Sequence, residues 1–370
     1  MSENKSYNKT DLAELALMIK TWGKELGFQQ VGITDTELQP HEAHLEKWLE
    51  KGYHGTMSWM GDHEKKRSRP QELLPSTVRV ISVRMDYLPG DTSQARLLQQ
   101  RNKAYLARYA LGRDYHKLIR KRLKVLTERI ESEISKNDEN KIPNPLNQRP
   151  FVDSAPVLER ALAEKANLGW IGKNTMLINN KAGSWFFLGE VFTSLPLPCE
   201  PEPASNHCGS CHACLDICPT QAFVNSYELD ARKCISYLTI EHKGAIPENL
   251  RKPMGNRIFG CDDCQIVCPW NKFAKPTDEN DFKPRHQLDS PELVDLFNWT
   301  EEEFLKKTEG APIRRIGYEN WLRNISVALG NAPTSKKIVS ALIEKKSSKA
   351  TLSSDVLSEH IDWALKQHKT

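Results

Sequence analysis

Apolar residues recur at three- and four-residue steps across 11–27, at Leu12, Leu15, Ile19, Trp22 and Leu26, which predicts an amphipathic helix. Thr10 or Asp11 is placed to cap it. Residues 29–34 read as a short strand and 41–50 as a helix ending near Gly52. The loop 52–57 offers side chains to a ligand, and 67–75, with Pro70 and Pro75, reads as a connection. The β-branched run 79–87 predicts a buried strand, stopped by Pro89 and Gly90. A helical pattern covers most of 104–135, followed by a polar linker over 136–150.

Around 151–153 a strand ends, and a helix is expected to start near Ser154 or Ala155. Pro156 suits its first turn and Glu159 its positive end. Residues 168–174 form a loop in which Gly169 and Gly172 let the backbone approach a ligand closely. Two strands, 175–179 and 184–194, are joined through Gly183, and 195–203 is a proline-rich bridge. Short amphipathic helices over 291–305, 318–329, 335–344 and 354–366 close the chain, the last three resembling a small helical repeat.

The cysteines change this picture most. Cys208, Cys211, Cys214 and Cys218 follow C-x2-C-x2-C-x3-C and precede Pro219, the bacterial ferredoxin spacing in which the fourth thiolate serves a second cluster. The run Cys261, Cys264, Cys268, Pro269 is one ligand short, because Ile258 stands where a repeat would place a cysteine, and Cys234 fills the gap. One 4Fe-4S cluster is therefore expected on Cys208, Cys211, Cys214 and Cys268, and another on Cys218, Cys234, Cys261 and Cys264. Cys199 is left over as a spare thiol. Zinc prefers separated C-x2-C pairs, and a disulfide framework would accompany an export signal, whereas residues 1–10 are polar. Radical chemistry would want C-x3-C-x2-C, and Gln221 and Asn271 stand where its third cysteine belongs. Both clusters read as fully ligated electron carriers.

The 370 residues are enough for two or three domains. No apolar run approaches the roughly 20 residues of a membrane span, and reduced cysteines point to the cytoplasm. Net charge is only +4, but residues 101–130 hold ten Lys/Arg against Asp114 and Glu128. That concentration is either a phosphate-backbone footprint or a solvated helix face.

The clusters need an electron acceptor, and the long upstream segment is the place for it. It contains no G-x-G-x-x-G after a strand, which argues against a dinucleotide fold. It also lacks D-x-H-x-x-G, the histidine motif of many cobalamin proteins. Asp153 is the candidate acid: at a strand end beside a flat cofactor, burial would keep it protonated near neutrality. The structural alternative, equally compatible with its position, is a helix cap.

Several stretches together resemble one family, epoxyqueuosine reductase, the cobalamin-dependent iron–sulfur enzyme of tRNA queuosine biosynthesis. They are 112–116, 152–160, 169–174, 208–219, 261–271 and Trp321-Leu322-Arg323-Asn324 through Gly330-Asn331. The resemblance covers nearly the whole chain. It implies an α+β protein with an N-terminal cobalamin-binding α/β sheet module over 1–198, a ferredoxin-like two-cluster module over 199–285 and a C-terminal HEAT-like helical repeat over 286–370. It implies loss of the epoxide oxygen of epoxyqueuosine at the tRNA wobble position, with two electrons and two protons, Asp153 acting as proton donor. Base-off cobalamin would be held by Tyr115, His116, Gly172, Lys173, Asn174, Thr175, Met176, Gly183, Ser184 and Trp185. Arg113, Lys117, Arg314, Arg315, Arg323 and Lys336 become candidate phosphate contacts for an anticodon stem-loop. A flavodoxin or ferredoxin would supply electrons to a monomeric protein. The competing readings are a reductive dehalogenase-like enzyme and an electron-transfer subunit; the latter leaves Asp153 and the upstream residues without a task.

Overall fold

The computed structural model describes residues 9–90, 93–136, 146–200, 202 and 204–369, without the side chains of residues 9–11 and 64. The capping roles of Thr10 and Asp11, most of the polar linker (137–145) and Pro201 and Pro203 of the bridge lie outside the described residues.

Strands β1 (Gln30–Thr34), β2 (Arg79–Asp86), β3 (Gln148–Phe151) and β4 (Phe186–Thr193) form one sheet in the order β1-β2-β4-β3. Every neighbouring pair is antiparallel. The expected α/β sheet is thus an antiparallel one, and Asp153 follows an edge strand rather than a central parallel strand. Alternation sorts the side chains. Ile81, Val83, Phe187 and Val191 meet helices α1 (Lys9–Glu25) and α2 (Tyr115–Lys136) on one face, in a core completed by Leu15, Ile19, Ile119 and Leu123. Val80 and Phe192 face the other way, against Leu162 of α3 (Glu159–Lys165). Gly189 lets α2 press onto the sheet, since a Cβ there would come within 3.0 Å of both Ile119 and Leu123.

The segment 104–135 is not one helix. Tyr105–Leu106 is a strand, Arg108–Ala110 a 3-10 turn, and α2 begins only at Tyr115. Tertiary pairing overrides the helical pattern here: Tyr105–Leu106 pairs in parallel with Arg257–Phe259, from the cysteine-rich half of the chain. Asp262 secures that junction by accepting from Tyr105 Oη at 2.9 Å and from the Arg108 backbone N–H at 2.8 Å. The connection 67–75 also contains a helical turn, Pro70–Leu73.

After the cysteine-rich region, α4 (Gly317–Asn331), α5 (Lys336–Lys346) and α6 (Asp355–Gln367) share one core with 104–111 and 231–259. Ser335 and Ser354 cap the last two, each accepting a backbone N–H from three residues on. Arg323, a candidate phosphate contact, is fully buried in α4. Its guanidinium donates to the carbonyls of Leu238, His242 and Gly244 at 2.7–2.8 Å. Asn324 beside it donates to Thr239 O and Ile258 O, both at 2.9 Å. The Trp321–Asn324 motif is therefore a clamp on the cysteine-rich module, and Arg323 cannot reach a phosphate. No helix among the described residues is long and apolar enough to cross a membrane.

Candidate active site

Cys208, Cys211, Cys214 and Cys268 line one cavity of about 310 Å³, together with Trp270 and Phe273. Cys214 feels the neighbouring Cys268, Cys208 and Cys211 thiols, and burial with their proximity pushes it up to about 11. Cys261 and Cys264 both feel Cys234, and Cys264 also feels Cys214 and Cys218. Burial pushes both thiols well above the ordinary value. Among the described residues no three His, Cys, Asp or Glu side chains converge tightly enough for a single ion. Thiols that surround a cavity rather than a point fit a cubane better than zinc. The first set is the outer one, with Cys211 exposed; Cys199 is exposed and apart from both.

Aromatic rings lead from the inner set to Asp153. Tyr87 neighbours Asp262, Gln265 and Cys264. Its ring lies 4.5 Å from that of Phe187, Phe187 stacks on Tyr115 at 3.9 Å, and Tyr115 on His116 at 4.2 Å. Tyr115 and His116 begin α2, and both reach Asp153. The Tyr115 phenol donates to Asp153 Oδ2. His116 Nε2 lies 3.1 Å from that oxygen, close enough for an ion pair but outside hydrogen-bond alignment. On its other side, His116 Nδ1 is 2.6 Å from Asp114 Oδ1, and Asp114 accepts from Arg315 at 2.8 Å. With a carboxylate on each nitrogen, His116 is not free to bind a metal.

These contacts decide where the proton sits. Burial pushes Asp153 up, but His116 and Tyr115 outweigh it and hold the carboxyl below the ordinary value. Burial works against a charged His116, yet Asp114 and Asp153 raise its pKa overall. Without a flat ligand over it, the Asp153 carboxyl is thus held low and the His116 imidazole high. Asp153 does not cap a helix. Helix α3 starts at Glu159, after an N-cap at Leu158 that makes no side-chain cap.

The start of α3 holds two strained loops instead. Asp153 has φ +43° and Thr175 φ +63°, the left-handed region that side chains avoid and β-branched Thr avoids most. Glu159 accepts from the Asp153 backbone N–H, and Arg160 donates to Thr175 O. Burial and the Asp153 charge push the Glu159 carboxyl up to about 8. Behind it, Glu190 on β4 is fully buried, and burial raises it further still.

The other candidate ligand residues divide. Thr175 and Met176 are half-buried and accessible beside Arg160. Lys173 donates to the carbonyls of Gly209 and Cys211 at 2.7 and 2.9 Å, and Asn174 to Cys264 O at 3.2 Å, so both brace the cysteine loops. The Ser184 and Trp185 side chains are buried, Ser184 taking Asn271 and Gln265 as partners. A Cβ on Gly183 would meet Asn271 Oδ1 at 2.1 Å, on Gly169 Ile178 O at 2.3 Å and on Gly172 Ile178 Cδ1 at 2.3 Å. A side chain at any of these three positions would collide with the chain itself. The spacing of Asp114 two residues before His116 was a visible signal for their pairing. Arg315, 201 residues from Asp114, gave none.

Comparison with known proteins agrees with this geometry. Residues 67–154 match the family described as Epoxyqueuosine reductase QueG, DUF1730, and residues 207–271 match a 4Fe-4S double cluster binding domain. The epoxyqueuosine reductase of Pseudomonas aeruginosa is 62% identical over 358 residues, covering 97% of this chain and 96% of that protein. The Escherichia coli enzyme is 57% identical, covering 96% and 90%. Among solved structures, an epoxyqueuosine reductase bound to an epoxyqueuosine-modified tRNA-Tyr stem-loop superposes with a TM-score of 0.84 at 27% identity, covering 96% of this chain and 90% of that one. The Bacillus subtilis enzyme, with its catalytic loop swung out of the active site, gives 0.84 at 26% identity, covering 97% and 91%. With that identity carried over nearly its full length, and with the double-cluster cysteines in place, the chain belongs to the epoxyqueuosine reductase family.

Proposed function

We propose that this protein reduces epoxyqueuosine in the anticodon loop of tRNA to queuosine, with Asp153 delivering the proton to the departing oxygen. The observation that carries the reading is the Asp153–His116–Tyr115 cluster, placed at the end of an aromatic stack that starts beside Cys264. Epoxide loss consumes two electrons and two protons and releases water. Cobalamin, when bound, supplies the reduced metal that opens the epoxide, and two 4Fe-4S clusters supply its electrons one at a time. His116, facing Asp114 on one nitrogen and Asp153 on the other, would serve the proton rather than a metal.

The chain's own residues manage the proton. In water-exposed form, His116 is charged and Asp153 ionised. Exclusion of water from the pair would favour the neutral partners and pass the proton from His116 to Asp153. Asp153 is then a neutral acid facing the oxygen, and His116 can be recharged through Asp114. Glu159 and Arg160 hold the two loops on either side. Tyr115, His116, Thr175 and Met176 are the side chains we assign to the corrinoid, with Gly172, Lys173, Asn174, Gly183, Ser184 and Trp185 shaping the wall by backbone and packing.

Arg113, Lys117, Arg314 and Arg315 are exposed, Arg315 reaching Asp114 at 2.8 Å, and with Lys336 they suit phosphates on either side of a splayed-out base. We read 1–198 as the catalytic unit, 199–285 as the cluster unit and 286–370 as a HEAT-like tRNA platform, acting as a cytoplasmic monomer reduced by a flavodoxin or ferredoxin. Mass spectrometry of tRNA nucleosides after anaerobic incubation with cobalamin and dithionite tests the reading. Conversion of epoxyqueuosine to queuosine is expected, and its absence from a cluster-replete protein would refute it.

A further inference from the structure

The outer cysteine set opens onto a basic face. Its cavity is lined by Lys173 and Lys272 and by no carboxylate. It adjoins a second cavity of about 690 Å³, and the two meet at His207. Lys20, Lys24, Lys181 and Arg84 line this larger one, against Glu202 alone. Lys20 is neutralised by Glu200 at 2.6 Å. Lys24, Lys181 and Lys272 are exposed and make no ion pair among the described residues. Arg84 is likewise paired, its Nε lying 3.2 Å from Asp86 Oδ1, so the uncompensated charge of this face is carried by the three lysines.

Apolar surface sits in the middle of these charges. Phe273 is 41% exposed under the Lys272 ammonium, which lies 4.8 Å from its ring centre. Trp270 packs against Trp170 and His207 at 5.2 and 5.5 Å. Trp170 in turn donates its indole N–H to Cys208 Sγ at 3.5 Å. An aromatic centre in contact with a cluster ligand, ringed by unpaired lysines, has the anatomy of a transient electron-transfer interface.

We propose that this face, around Lys24, Lys181, Lys272 and Phe273, docks an acidic carrier protein bearing a one-electron flavin or iron–sulfur centre. The inference rests on the reading of Cys208, Cys211, Cys214 and Cys268 as the entry cluster. The carrier gives up one electron, the outer cluster takes it, and no bond is made or broken; two such encounters serve each epoxide. The stem-loop, by contrast, belongs to the Asp153 side, beside Arg113 and Arg315.

The test uses the holoprotein carrying Lys181→Glu and Lys272→Glu, neither of which we place in the catalytic or corrinoid site. Reduced flavodoxin, an acidic carrier, is mixed anaerobically with oxidised protein, and bleaching of the iron–sulfur absorbance is followed by stopped flow. Charge reversal is expected to slow reduction by about tenfold or more at low salt, and the parent rate should fall with ionic strength. Dithionite-driven turnover of the tRNA should be unchanged. An unaltered flavodoxin rate overturns the proposal, and so does a matching loss with dithionite. Weakened tRNA binding at an unaltered rate would give the face to the nucleic acid instead. Failure of dithionite to reduce the parent protein would refute the cluster reading beneath the proposal.

Discussion

Tyr115 and Asp153 share a hydrogen bond in which the phenol donates to Oδ2, the same oxygen that faces His116 Nε2 at 3.1 Å. One carboxylate oxygen thus meets a fixed donor and a titrating one. Removing the carboxylate charge while keeping its shape separates proton delivery from folding. Asp153→Asn should retain both clusters and the corrinoid but lose about 10²–10⁴-fold in turnover. Single-turnover conversion of the modified stem-loop measures it; full activity would sink the proton-donor role.

Asp114 sets the pH at which that proton is available. His116 is raised above its ordinary 6.5, so its charged form is present below that value and is lost as pH rises through the higher folded pKa. Asp114→Asn removes one of the two carboxylates responsible. The alkaline limb of the pH–rate profile should therefore move to lower pH. A profile shifted upward or unmoved would contradict the assignment.

Cys264 and Cys268 are four residues apart yet serve different clusters in this arrangement. Cys211→Ala and Cys268→Ala should each leave about four irons per chain, and the double variant no fewer. Pairing Cys264→Ala with Cys268→Ala should remove both clusters. Iron analysis with electron paramagnetic resonance distinguishes this from the unswapped ligand sets.

Trp170 donates to a sulfur that carries more negative charge in the reduced cluster. Its N–H therefore favours reduction. Trp170→Phe should lower the midpoint potential of one cluster and leave the other unmoved. Redox titration reads both; an unchanged outer potential would remove the indole from any tuning role.

His360 ties α6 to the cysteine-rich half as a neutral, fully buried side chain. Its Nδ1 donates to Val356 O at 2.6 Å and its Nε2 accepts from the Ile246 N–H at 3.1 Å. Burial holds its pKa down to about 4, from an ordinary 6.5. The unfolded chain takes up a proton first, so stability is full above 6.5 and falls as pH drops towards about 4. The loss should reach about 3 kcal/mol. His360→Gln can keep both hydrogen bonds and should flatten that dependence in urea titrations.

Two kinds of information divide this protein. The sequence by itself determined the cluster chemistry, because cluster ligation is a matter of residue type and short spacing: C-x2-C-x2-C-x3-C-P is legible without coordinates. It also marked Asp153 as a candidate, the helices with clean apolar periodicity and a strand over 79–87, found at Arg79–Asp86. Tertiary structure alone decided what depends on distant partners. Tyr105–Leu106 is a strand because Arg257–Phe259 lies beside it, against its own helical pattern. Arg323 is a buried clamp because the carbonyls of Leu238, His242 and Gly244 converge on it. Asp153 has its carboxyl held below the ordinary value because His116, itself fixed by Asp114 and Arg315, stands 3.1 Å away. Periodicity reports which face of an element is apolar; it carries no term for charges and carbonyls brought close by the fold, and those set the protonation at the acid.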